Sequence, residues 1–116
     1  MSNSILVGFV PVCERARLVA NRGVAALVDG VAIAVFAMSD GSIHAIDNVD
    51  PISGASVLSR GLTGDVNGEL AVASPMYKQR FSLLTGRCLD DPSVRVTVHE
   101  ARINDDIVEV KVMRSP

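Results

Sequence analysis

Residues 24–38 constrain the fold more than any other stretch. Val24-Ala25-Ala26-Leu27-Val28, the dipeptide Asp29-Gly30 and the run from Val31 to Met38 read as a β-hairpin, because Asp-Gly accepts the positive φ angles of a tight type I′ turn. In the second arm both alternating sets are apolar, Val31/Ile33/Val35/Ala37 and Ala32/Ala34/Phe36/Met38. A strand of that kind must be covered on both faces, as at the centre of a sandwich or small barrel. The turn Ser39-Asp40-Gly41 then leads into Ser42-Ile43-His44-Ala45-Ile46, and a three-stranded antiparallel meander results. The fold class is all-β.

The rest of the chain continues in short strands. Asn48 to Gly68 is rich in Gly, Ser, Asp and Pro and reads as a long loop. Asn67-Gly68 turns into the strand Glu69-Leu70-Ala71-Val72-Ala73, and Arg80-Phe81-Ser82-Leu83 closes against it before the Leu84-Thr85-Gly86 turn. After Asp90-Asp91-Pro92 a strand is expected from Val94 to Ile103, then a turn at Asn104-Asp105-Asp106 and a last strand from Ile107 to Val112. In that strand Val108, Val110 and Val112 alternate with Glu109 and Lys111. No helix longer than a turn or two is expected, the candidates being Cys13 to Ala16 and Ala55 to Arg60.

At 116 residues, 48% of them apolar and 21% charged, the chain has the makings of one folded domain spanning residues 1–116. A net charge of -2 gives no footprint for nucleic acid or an anionic membrane. The N-terminus Met1-Ser2-Asn3-Ser4 lacks a basic leader, and the apolar run 31–38 is too short to cross a bilayer, so a soluble cytoplasmic protein is expected.

Few residues offer chemistry. Cys13 and Cys88 stand far apart with no His or Cys at ligand spacing, which suits a buried apolar role better than a metal site or disulfide. His44 and His99 lie within strands and are expected to have local partners. Asp47, Asp50 and Asp65 match no metal-loop logic and suit turn hydrogen bonds. Gly61, Gly64 and Gly68 lack the strand–helix frame of a phosphate loop, and no serine or cysteine has the setting of a covalent nucleophile.

Two loops remain, Asn48-Val49-Asp50-Pro51-Ile52-Ser53-Gly54 and Ser74-Pro75-Met76-Tyr77-Lys78-Gln79-Arg80-Phe81. They have the spacing of the Cys-x-His and Cys-x-x-His loops that hold a Rieske [2Fe–2S] cluster. The four ligand positions are Asp50, Ile52, Ser74 and Tyr77. Ile52 has no lone pair, and the other three are oxygen donors poorly matched to iron–sulfur ligation. The expectation is a vestigial site with no metal.

Together with Val31 to Phe36, Ala45-Ile46-Asp47-Asn48, Leu58-Ser59-Arg60-Gly61 and Thr85-Gly86-Arg87-Cys88-Leu89-Asp90-Asp91-Pro92, these loops give the chain its resemblance to the small subunits of assimilatory NADH-dependent nitrite reductase. The run Ser74-Pro75 through Lys78-Gln79-Arg80-Phe81 is the most specific part. The resemblance implies a Rieske-like fold of small antiparallel sheets, a sandwich or partial barrel with two loops meeting at one tip. It also implies a large-subunit partner that carries FAD, siroheme and an iron–sulfur cluster and reduces nitrite to ammonium, and no cofactor in the present chain. The alternative is a Rieske-type [2Fe–2S] ferredoxin or electron-transfer module. No catalytic residue is expected, and the partner-docking tip is placed at Pro51, Ile52, Pro75, Met76, Tyr77, Lys78 and Arg80. Ile52 and Tyr77 could either face outward as anchors or fill the space of the cluster.

Overall fold

The computed structural model describes residues 8–113; the N-terminal Met1-Ser2-Asn3-Ser4, read above as lacking a basic leader, lies outside them. Nine strands form two antiparallel sheets among the described residues: β1 (Phe9–Glu14), β2 (Arg22–Val28), β3 (Val31–Ala37), β4 (Ile43–Asp47), β5 (Leu62–Val66), β6 (Glu69–Ala73), β7 (Arg80–Ser82), β8 (Val98–Asn104) and β9 (Ile107–Lys111). The larger sheet has the order β1-β9-β8-β4-β3-β2, and the smaller β5-β6-β7. The all-β architecture of antiparallel sheets anticipated from the sequence is the one observed.

The hairpin of β2 and β3 pairs Val28 with Val31 around Asp29 (φ 50°) and Gly30 (φ 78°), both in the left-handed region that a type I′ turn demands. As expected, β3 is buried on both faces. Ala34 and Phe36 join Met38, Ile46, Leu58, Val72, Phe81, Leu83, Cys88 and Val96 in the core between the two sheets. Ile33 and Val35 face the other way, onto Val28, Ala45, Val108 and Val110. The larger sheet therefore curls until β3 and β9, which are not neighbours in it, share one core. Cys13 packs against this second core and Cys88 lies in the first.

Three expectations need correction. The stretch 48–68 is not all loop: beyond the turn of helix expected within Ala55 to Arg60, which is a 3-10 turn at Leu58–Arg60, it holds the unforeseen strand β5. The seat of that turn is Gly23 of β2, where any Cβ would collide with the Ser59 backbone and the Phe36 ring. The strand expected over 94–103 begins only at Val98, and residues 94–96 instead run beside 86–88, tied by the Cys88 N–H to Val94 O and Val96 N–H to Gly86 O bonds. Finally, β1 was not foreseen. Its candidate helix near Cys13 is a 3-10 turn at Arg15–Arg17, following a bulge between Pro11 and Cys13.

Both histidines have local partners. His44 meets Ser42 Oγ at 2.8 Å. The Nδ1 of His99 accepts the Met113 N–H at 2.9 Å, which leaves Nε2 to carry the proton and donate to Asp47 Oδ1 at 2.8 Å. Burial pushes the His44 imidazole below its ordinary value, against the pull of Asp40.

Candidate functional site: the paired loops

Strand β4 runs out through Asp47 into the first loop, and β6 through Ala73 into the second. The base of the first loop is Asn48, a buried residue read from sequence only as a loop start. Its Oδ1 accepts the Ser59 N–H at 2.7 Å, its Nδ2 donates to Ser56 Oγ at 2.8 Å, and its carbonyl accepts from Val57 and Leu58.

The two loops are built to one plan. In the first, Asp50 N–H donates to Ala55 O and Gly54 N–H to Asp50 O; in the second, Ser74 N–H donates to Gln79 O and Lys78 N–H to Ser74 O. The opening side chain then caps the residue two further on, Asp50 Oδ1 accepting the Ile52 N–H at 2.8 Å and Ser74 Oγ the Met76 N–H at 3.2 Å. The fifth residue is left-handed in both, Gly54 at φ 78° and Lys78 at φ 66°. A third copy follows β7: Ser82 accepts from Gly86 through its carbonyl and from Leu84 through Oγ, and Gly86 has φ 77°.

The four Rieske-spaced positions divide into an inner and an outer pair. Asp50 and Ser74 are buried, and Ser74 Oγ–H donates to Asp50 Oδ2 at 2.6 Å, joining the two loops. Burial opposes ionisation of Asp50, but the Ser74 hydroxyl and the Ile52 and Ser53 amides outweigh it and hold the carboxyl below the ordinary carboxylate range. Ile52 and Tyr77 face outward, 40% and 59% exposed, which resolves the question left open by the sequence. Met76 is exposed beside them at 46%, as are Pro51 and Pro75. Gln79 Oε1 is buried without a hydrogen-bond partner among the described residues.

Arg80, also at the tip, has a partner within the chain. It is exposed but not free, since its guanidinium grips Asp90 through Nη2–Oδ1 at 2.7 Å and Nε–Oδ2 at 3.1 Å, and its own N–H donates to Oδ2 at 2.8 Å. These bonds hold the Asp90 carboxyl below the ordinary range. They also bring the segment around Asp90 against the second loop as a third wall of the tip, which the sequence signalled only as an Asp-Asp-Pro turn. Lys78 forms no ion pair among the described residues.

No three His, Cys, Asp or Glu side chains cluster to hold a metal ion among the described residues. Asp47 is bound to His99, Asp50 to Ser74, and Asp65 caps the Asn67-Gly68 turn by accepting the Gly68 N–H. Among the described residues, no helix is long and apolar enough to cross a membrane.

A family described as Rieske-like [2Fe–2S] domain matches residues 8–111. The nitrite reductase (NADH) small subunit of Salmonella typhimurium strain LT2 is 41% identical over 101 residues, 86% of this chain and 94% of the relative. A crystal structure assigned to the NADH-dependent nitrite reductase small subunit of Mycobacterium tuberculosis superposes with a TM-score of 0.88 at 44% identity, covering 92% of this chain and 96% of that one. The nitrite reductase [NAD(P)H] large subunit of Klebsiella oxytoca is 37% identical over 99 residues, which are 85% of this chain but 10% of that protein. The chain belongs to the Rieske-like domain family and, within it, to the NADH nitrite reductase small subunits.

Proposed function

We propose that this chain is a cytoplasmic, cluster-free and non-catalytic small subunit of NADH-dependent nitrite reductase, docking by its loop tip on a large subunit that holds FAD, siroheme and an iron–sulfur cluster and reduces nitrite to ammonium. The Salmonella and Mycobacterium relatives support the assignment to that enzyme. The Klebsiella large subunit supports the partner, because a segment like this chain is part of its polypeptide.

The observation that carries the reading of the tip is the Asp50–Ser74 hydrogen bond. A [2Fe–2S] cluster needs two thiolates where these oxygens engage each other, and two imidazoles where Ile52 and Tyr77 stand. The residues present do not fit that group. The ferredoxin alternative shares the family but would require these four side chains to ligate iron.

Lys78 supports the docking role. A side chain in the left-handed region is strained where the two sister turns place glycine, and strain retained at an exposed, ion-pair-free lysine points to use of its side chain. Ile52, Met76 and Tyr77 supply apolar anchors, and Lys78 a charged rim that steers association.

The test is co-purification with the tagged large subunit, iron and acid-labile sulfide analysis of the anaerobically purified chain, and nitrite reduction assayed with and without it. The expected results are a stable complex, a colourless iron-free small chain, and no turnover by that chain alone. Stoichiometric iron and sulfide would overturn the cluster-free reading.

A further inference from the structure

The third of the sister turns, Ser82–Gly86, opens at the end of β7 away from the tip, and the segments beside it carry an anomaly. Arg87 and Arg95 are directly opposed as an antiparallel bridge pair. Their neighbours Cys88, Val94 and Val96 point into the core between the sheets, so both arginines leave on the same outer face, and both are exposed. Like charges placed opposite each other repel. Three other arginines meet carboxylates, Arg80 with Asp90, Arg102 with Glu109 and Arg17 with Glu14, while Arg15, Arg22 and Arg60 have none within ion-pair distance among the described residues but are not set opposite another arginine in a bridge. Neither Arg87 nor Arg95 has a carboxylate within ion-pair distance among the described residues, although the protein as a whole is acidic at net charge -2. Arg95 is further held in place by donating from Nη2 to Thr85 O at 3.2 Å. Beside them Leu84, at the turn position held by Met76 in the tip, is 62% exposed.

We infer that Leu84, Arg87 and Arg95 form a second docking surface, and that its occupant is a carboxylate-bearing patch of the large subunit. An exposed apolar side chain close in the chain to two opposed arginines, one of them oriented by Thr85, has the composition of an interface centre, and the missing counter-charge is what a partner's carboxylates supply. The inference rests on the small-subunit reading. Having the same turn design as the tip, at the other end of β7, lets one large partner engage both ends of the small sheet.

The experiment measures affinity of the full chain for the cognate large subunit at low and high salt, with thermal unfolding of each variant alone. Arg87→Gln/Arg95→Gln is expected to bind at least tenfold more weakly at low salt, with a flattened salt dependence, while its melting temperature is unchanged or higher because the repulsion is gone. Leu84→Ser is expected to weaken binding severalfold. Affinity within twofold of wild type at both salts overturns the proposal. So does a loss of melting temperature with affinity intact, which would make the arginines structural, and so does charge-dependent binding of wild type to duplex DNA or anionic vesicles with large-subunit affinity unaffected by the variants. If Tyr77→Ala alone weakens the complex, the subunit reading stands and this one falls; if wild type binds no large subunit, both fall.

Discussion

The inner and outer halves of the tip use the same two turns for opposite purposes. Asp50 and Ser74 open the turns, are buried, and bond across the gap between the loops. Ile52, Met76 and Tyr77, two or three residues further along, keep substantial surface in water. The turn itself produces the division, because its first side chain must fold back to cap the amide two residues on, and that amide's own side chain is thereby thrown outward. A frame suited to presenting two groups outward and two inward accommodates hydrogen-bonding residues within and apolar ones without.

The sharpest way to break this comparison is Asp50→Ala, which strands the Ser74 hydroxyl and the Ile52 and Ser53 amides. A loss of about 3 kcal/mol in chemical denaturation is expected, and a loss near zero would show that the loops close without the inner pair. The outer half should behave oppositely: Tyr77→Ala should leave unfolding within about 0.5 kcal/mol of wild type while costing about 2 kcal/mol in affinity for the large subunit, read by calorimetry. Lost stability with intact affinity would make Tyr77 a structural plug.

A smaller effect of unusual sign is expected at Lys78, whose φ of 66° suits glycine. Lys78→Gly should raise stability by about 0.5–1 kcal/mol and weaken large-subunit binding, separating strain from use in a single variant. The smallest effect is in pH dependence. The Asp50 carboxyl sits below its ordinary value of 3.8 in the folded state, so the unfolded chain binds the proton more readily as acid is added. Its stabilisation is complete above the unfolded value and is lost as pH falls toward the folded one. Urea titrations of wild type and Asp50→Asn should therefore converge below about pH 4, and parallel curves would place the hydrogen bonds elsewhere.

Much of the fold was legible in the chain. The Asp29-Gly30 turn and the doubly apolar Val31–Phe36 announced a hairpin with a strand buried on both faces, because turn conformation and side-chain period are local properties. What escaped was decided by distant partners. Leu62–Val66 is a strand only because β6 offers it an edge, while exposed Leu62 and Gly64 carry little strand signal of their own. Conversely, Val94–Thr97 has strong strand character but lies where the chain passes from the small sheet to the large one, before β8 begins.

At the site, the sequence by itself determined which atoms are available: a carboxylate, two hydroxyls and a hydrocarbon at Asp50, Ser74, Tyr77 and Ile52, with no thiolate or imidazole among them. Only the tertiary structure decided how they are used. It buried Asp50 against Ser74, turned Ile52 and Tyr77 to solvent, bound Arg80 to Asp90 and set Arg87 opposite Arg95. Residue identity limits the chemistry a group can do, but burial and pairing depend on which segments the two sheets bring together, and those segments are far apart in the chain.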